Sequence, residues 1–169
     1  FDMILALTII VIALSLTFNY YFLPTDNEDI YSLNRQMLDG LTNTRLNSLN
    51  DQEIRDMFIE NKIKNIENTI AQQTIEFYFN SYPELAENLT KSYVEDYVDR
   101  QMNFNISFYN ETESGHIDFG PVILFEDINR PEVKFEDAEI TSVTRRTIFA
   151  FKNTTEFYGP YTFEVRIWR

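Results

Sequence analysis

The chain has 169 residues, 15% of them aromatic, and 27 acidic against 14 basic side chains give a net charge of −13 at pH 7. A surface of that sign repels phosphates, which argues against nucleic-acid binding, and it keeps the chain hydrated and resists random association. Only 4 glycines leave little material for phosphate-cradling loops, and the absence of cysteine excludes disulfides and thiolate nucleophiles or metal ligands.

The most informative stretch is FDMILALTIIVIALSLTFNYYFLPT. No charge occurs from Met3 to Thr25, and 17 of the 21 residues from Met3 to Leu23 are apolar. As an α-helix at about 1.5 Å per residue, that run spans roughly 30 Å, the thickness of a bilayer's hydrocarbon. Pro24 can close the helix, and Tyr20 and Tyr21 stand where interfacial aromatics occur. A signal anchor carries basic residues on its cytoplasmic side, and a secretory peptide loses its apolar region on cleavage. Here the apolar run opens at Phe1 with no Lys or Arg before it. The expectation is cleavage directly before Phe1, between a short basic leader and the retained helix.

This pattern resembles the class III signal peptide of type IV pilins and their archaeal relatives, over residues 1–25. Leu5 stands where bacterial major pilins carry Glu, which points to the archaeal branch. The resemblance implies a filament core of Phe1, Met3, Ile4, Leu5, Leu7, Ile9, Ile10, Val11, Ile12, Leu14, Leu16 and Phe18. Asp2 can neutralise a neighbouring amine or the positive end of a helix. The competing readings are a plain single-span anchor and the core helix of an ordinary protein. A helix apolar on every face needs burial all round, and the remaining 146 residues can hardly surround it, whereas many identical helices can. Burying about 14 large apolar side chains is worth roughly 20–40 kcal/mol, available in a bilayer or a shared filament core.

In the rest of the chain, Thr25 and Glu28 have capping-box spacing, and Ile30, Leu33, Met37 and Leu38 recur at helical spacing over 28–39 until Gly40 ends the run. Residues 42–50 read as a loop. Ile59, Ile63, Ile66 and Ile70 predict one long helix over 51–79, capped by Asn50 with Glu53, with Glu60 and Lys64 paired. Packing on its own domain explains that stripe more simply than an intermolecular coiled coil. A third helix is expected over 83–99, with Pro83 in its first turn and Leu85, Leu89, Tyr93, Val94, Tyr97 and Val98 on its apolar side.

From residue 102 the period becomes two. Phe104, Ile106 and Phe108 alternate with Asn103, Asn105 and Ser107. A turn is expected over 110–115, then strands over about 117–125 (an edge or a break at Pro121), 132–141, 143–152 and 161–168, with a turn over 153–160. In the last strand Tyr161, Phe163, Val165 and Ile167 alternate with Thr162, Glu164, Arg166 and Trp168. Helices first and strands later predict an α+β chain: a long N-terminal hydrophobic helix (1–25), then a head (26–169) with a helical segment and a C-terminal antiparallel sheet.

No catalytic, cofactor or metal site is expected. His116 is the only histidine and reads as a solvated turn residue. Asp26, Glu28 and Asp29 read as acidity at a helix start and lack the spacing of a calcium loop. Arg145 and Arg146 should face opposite ways on a strand, so they form no single anion clamp, and one of them is expected to pair with an acidic neighbour, here or on another subunit. No nucleophile elbow, P-loop or dinucleotide fingerprint occurs, and nothing selects two carboxylates for glycoside chemistry. Sequons stand at Asn88, Asn105, Asn110 and Asn153, with Asn110 and Asn153 expected in turns as candidates for N-glycosylation.

The reading is a non-enzymatic structural subunit of an extracellular filament for adhesion or surface contact. It inserts in the membrane before assembly and partners copies of itself. A motility filament is an alternative, and so is a tethered binding ectodomain that never polymerises. An exported enzyme would show a concave cluster of carboxylates in the head.

Overall fold

A computed structural model describes residues 26–49, 51–97, 102–111, 117–151 and 156–169. The expected N-terminal helix and all twelve of its filament-core residues from Phe1 to Phe18 lie outside these residues, as do Thr25, Asn50, Val98, His116 and Asn153. The described part is α+β: helices on one face of a four-stranded antiparallel sheet. Among the described residues no helix is long and apolar enough to cross a membrane.

Helix α1 spans Asp26–Asn43, so Gly40 does not end it. A Cβ at Gly40 would collide with the Tyr93 hydroxyl and stand 2.8 Å from Cζ. Gly40 is therefore a point of close approach inside a helix rather than a stop. The buried stripe of α1 is Ile30, Asn34, Met37, Leu38 and Leu41, the period of a helix lying on a core. Its polar member is satisfied by the sheet. Asn34 donates to Ser142 Oγ (2.9 Å) and the Val165 carbonyl (3.3 Å) and accepts from the Thr144 hydroxyl.

The long helix expected over 51–79 is two helices, α2 (Gln52–Ile59) and α3 (Ile70–Phe79). Asn61 adopts φ 58°, the left-handed conformation that ends helices. The Lys62 amide then bonds back to the Met57 carbonyl at 2.9 Å. Residues 46 and 47 donate to the carbonyls of Asn68 and Ile66, backbone bonds that a continuous helix would forbid. The Glu60–Lys64 pair is not formed; Lys62 reaches Glu60 instead, at 2.7 Å. Helix α3 has its own start signal. Thr69 Oγ1 accepts from the Gln72 amide and Gln72 Oε1 accepts from the Thr69 amide, a capping box.

Helix α4 covers Pro83–Val94 with Pro83 in its first turn, and a 3₁₀ turn follows over Glu95–Tyr97. Leu89 and Val94 are buried, and Tyr93 and Tyr97 pack ring on ring at 5.8 Å.

The strands are β1 (Asn103–Glu111), β2 (Ile117–Ile128), β3 (Thr141–Phe151) and β4 (Phe157–Trp168), in the order β2-β1-β4-β3. Asn110 and Glu111 belong to β1 rather than to a turn. Pro121 lies on β2, an edge strand, as its missing donor requires. The expected strand over 132–141 is instead a crossover from one sheet edge to the other, holding a 3₁₀ turn at Phe135–Asp137. The expected turn over 153–160 is shorter, because β4 starts at Phe157. Gly159 continues it at φ 108°, a conformation that glycine reaches without strain.

On the inner sheet face Phe104, Ile106, Phe108, Phe163, Val165, Ile167, Ile148 and Ala150 meet α1, α3 and α4 in one core. At the far end Phe79 stacks on Tyr158 and Tyr161 at 4.9 and 5.2 Å.

Candidate interaction surface

The sheet register sorts the outer face into rows. Ile128, Asn103, Trp168 and Thr141 stand side by side across the four strands. Glu126, Asn105, Arg166 and Val143 follow, then Ile123, Ser107, Glu164 and Arg145, then Tyr109, Thr162 and Thr147. Alternation makes half of each strand face away from the helices, so this face needs either water or a cover of its own.

The crossover covers the first row. Asn103 Nδ2 donates to the carbonyls of Arg130 (3.1 Å) and Val133 (3.3 Å), and its Oδ1 accepts from the Arg130 amide at 2.7 Å. Trp168 Nε1 donates to the Val133 carbonyl at 2.9 Å, and Phe135 meets the Trp168 ring edge-on at 5.7 Å. The Arg166 guanidinium lies 5.3 Å over Phe135, within cation–π range. The buried Asn103 is thereby fully used.

Glu164 sits at the centre and is 0% exposed. It accepts from Arg145 Nε at 2.5 Å, from Arg166 Nε, and from the Tyr109 hydroxyl at 3.1 Å. Burial by itself would push the Glu164 carboxyl up; the two guanidiniums outweigh it and hold it below the ordinary range. Arg146 points inward, as alternation demands, and pairs with Asp39 of α1 at 2.5 Å. The two arginines thus hold separate carboxylates on opposite faces.

Around this polar centre, Val143, Phe149, Phe151, Phe157, Ile123 and Ile128 are exposed. The charge is uneven too. Residues 141–169 carry five basic against two acidic side chains, a net +3, whereas residues 26–140 carry nine against 24, a net −15. Residues 126–139 hold six acidic against two basic. The two sheet edges therefore differ in sign: β3 is basic, and β2 leads into the acidic crossover.

Two concavities flank α2. One of about 370 Å³ is lined mainly by Leu46, Leu49, Ile54, Phe58, Ile59 and Ile66. Another of about 450 Å³ is lined by Leu49, Asp51, Gln52, Ile54, Leu89, Ser92 and Tyr93. Among the described residues, Asp51 is the one carboxylate lining either. Among the described residues no group of three or more His, Asp or Glu side chains could hold a metal ion. Asp29 is exposed in the first part of α1.

A second polar cluster lies inside the core. Asn68 Nδ2 donates to Gln73 Oε1 (3.0 Å) and Glu76 Oε2 (2.8 Å), while Gln73 Nε2 is buried without a partner among the described residues. Burial pushes the Glu76 carboxyl up, against the pull of Asn68 and Lys64.

The sequons differ in setting. Asn88 is exposed on α4, but Thr90 of the same sequon is buried, its hydroxyl donating to the Ala86 carbonyl at 2.9 Å. Asn105 is half-buried on β1 and donates to Glu126 at 3.3 Å. Asn110 is half-buried at the end of β1, opposite Phe119.

No family model, curated protein or solved structure significantly matches the chain.

Proposed function

We propose that the chain is the structural subunit of an extracellular type IV-like filament. It would polymerise through residues 1–23 and present the head over 26–169 for adhesion or surface contact. The observation that carries the reading is the 21-residue run from Met3 to Leu23, which has no charge and 17 apolar residues. It joins directly to a head whose described residues form a core of their own from Ile30 to Ile167. Residues apolar on every side of a helix gain stability only under cover. A bundle of the same segment from many copies gives that cover outside the cell, and the membrane gives it before assembly. The acidic head stays hydrated.

Leu7→Lys and Ile10→Lys test the reading. Each places an ammonium where copies would pack, so sheared surface fractions should lose their filaments while the full-length variant, extracted in detergent, keeps the wild-type circular dichroism. Filament yield equal to wild type in both variants would overturn the proposal in favour of a tethered ectodomain.

A further inference from the structure

We infer that heads bind one another edge to edge, β3 of one copy beside β2 of the next. The contact lies within the filament proposed above and rests on that reading for its setting. Both strands are edges of the same sheet, and among the described residues each pairs on one side only. All three pairings are antiparallel, so β2 and β3 run in opposite directions. Two copies set side by side by translation therefore bring β3 and β2 together in antiparallel sense.

The far halves of both edges are already blunted. Gln72 Nε2 donates to the Phe149 carbonyl of β3 at 3.0 Å, and Pro121 removes a donor from β2. These two blocks lie at the same end of the sheet. At the opposite end, residues 141–147 and 122–128 carry complementary side chains. Placing Arg145 opposite Glu126 sets Val143 opposite Ile128, and all four point to the outer face in the sheet register. Val143 and Ile128 are each 39% exposed. The Arg145 side chain is 56% exposed even while it holds Glu164, and Glu126 is exposed. Arg145, on the outer face of β3, faces the acidic start of the crossover. In a molecule of net charge −13, the basic edge is where another copy approaches with least repulsion. Because the two surfaces differ, the contact is heterologous and need not close, which suits a filament.

The chain has no cysteine, so introduced pairs report cleanly. Opposed residues of an antiparallel pair stand about 4.5–5.5 Å apart at Cα, within disulfide range. In full-length chain taken from cells and mildly oxidised, Val143→Cys with Ile128→Cys should give a ladder through trimers and beyond. Either single variant should stop at dimer, and Val143→Cys with Ile59→Cys should give no ladder. All three positions are exposed, and an unchanged melting temperature checks the fold. Adding Glu126→Lys to the matched pair should cut the ladder several-fold. Intact filaments whose matched pair stays unlinked would overturn this contact and leave the filament reading standing. So would a ladder indifferent to Glu126→Lys, or a Val143→Cys dimer as abundant as the matched product. A ladder in membrane fractions that hold no filaments would sustain the contact and defeat the filament reading.

Discussion

Replacing Glu164 by Gln keeps the shape of the side chain and removes its charge. The carboxylate is fully buried and holds Arg145, Arg166 and the Tyr109 hydroxyl. A hydrogen bond to a charged group is worth about 1.5–3 kcal/mol. The arginine side chains, however, are 56% and 40% exposed, so both can rehydrate once the charge is gone. Gln can still accept from one of them. With that discount for solvent, the expected loss is about 2 kcal/mol. For a chain of this size it lowers the melting temperature by roughly 4–8 °C at pH 7. The pH dependence has a definite sign. The folded carboxyl lies below its ordinary value of 4.5, so its contribution is fully present above that value and is lost as pH falls through the folded pKa. Thermal melts followed by circular dichroism from pH 7 to pH 3 should therefore show wild type and variant converging at the acid end. Equal melting temperatures at pH 7, or a gap that widens as pH falls, would refute the reasoning.

Glu76→Gln should act in the opposite sense. Burial raises the Glu76 carboxyl above its ordinary 4.5, so its contribution is fully present below that value and is lost as pH rises through the folded pKa. The variant should therefore be more stable than wild type at pH 7 and should lose that advantage towards pH 4; denaturant titrations at both pH values measure it. Gly40→Ala gains about 0.5–1 kcal/mol of helix preference but forces the Tyr93 ring aside, and overpacking costs about 1–3 kcal/mol. A net loss is expected in urea unfolding, relieved in part by Tyr93→Leu; a Gly40→Ala protein more stable than wild type would show that Tyr93 yields freely.

Much of the sheet was legible because alternation is local. Phe104, Ile106 and Phe108, and then Phe163, Val165 and Ile167, announce inner-face positions without any knowledge of their partners. The same logic misled at 132–141. Val133 and Phe135 alternate because a crossover lies on Trp168, and a loop that packs on a sheet copies a strand's period over a few residues. The long helix over 51–79 was misread for a related reason. Ile59, Ile63, Ile66 and Ile70 keep helical spacing, yet Ile59 is 74% exposed, and Ile63 is buried from the loop between α2 and α3. The break at Asn61 carries neither Gly nor Pro. The usable signal was Thr69 with Gln72, a capping box in the middle of the supposed helix. The Glu164 cluster was not legible. Arg145 and Glu164 meet only through the β3–β4 register, and Tyr109 joins them through the β1–β4 pairing. The difference between the two sheet edges likewise needed the strand order, although the charge imbalance behind it can be counted from the sequence.

The most direct test of the filament assignment is electron microscopy of material sheared from the native cells, with mass spectrometry of its main protein band. The account predicts uniform thin filaments built mainly of this chain. If the chain remains in the membrane fraction and is absent from every filament, the assignment is contradicted.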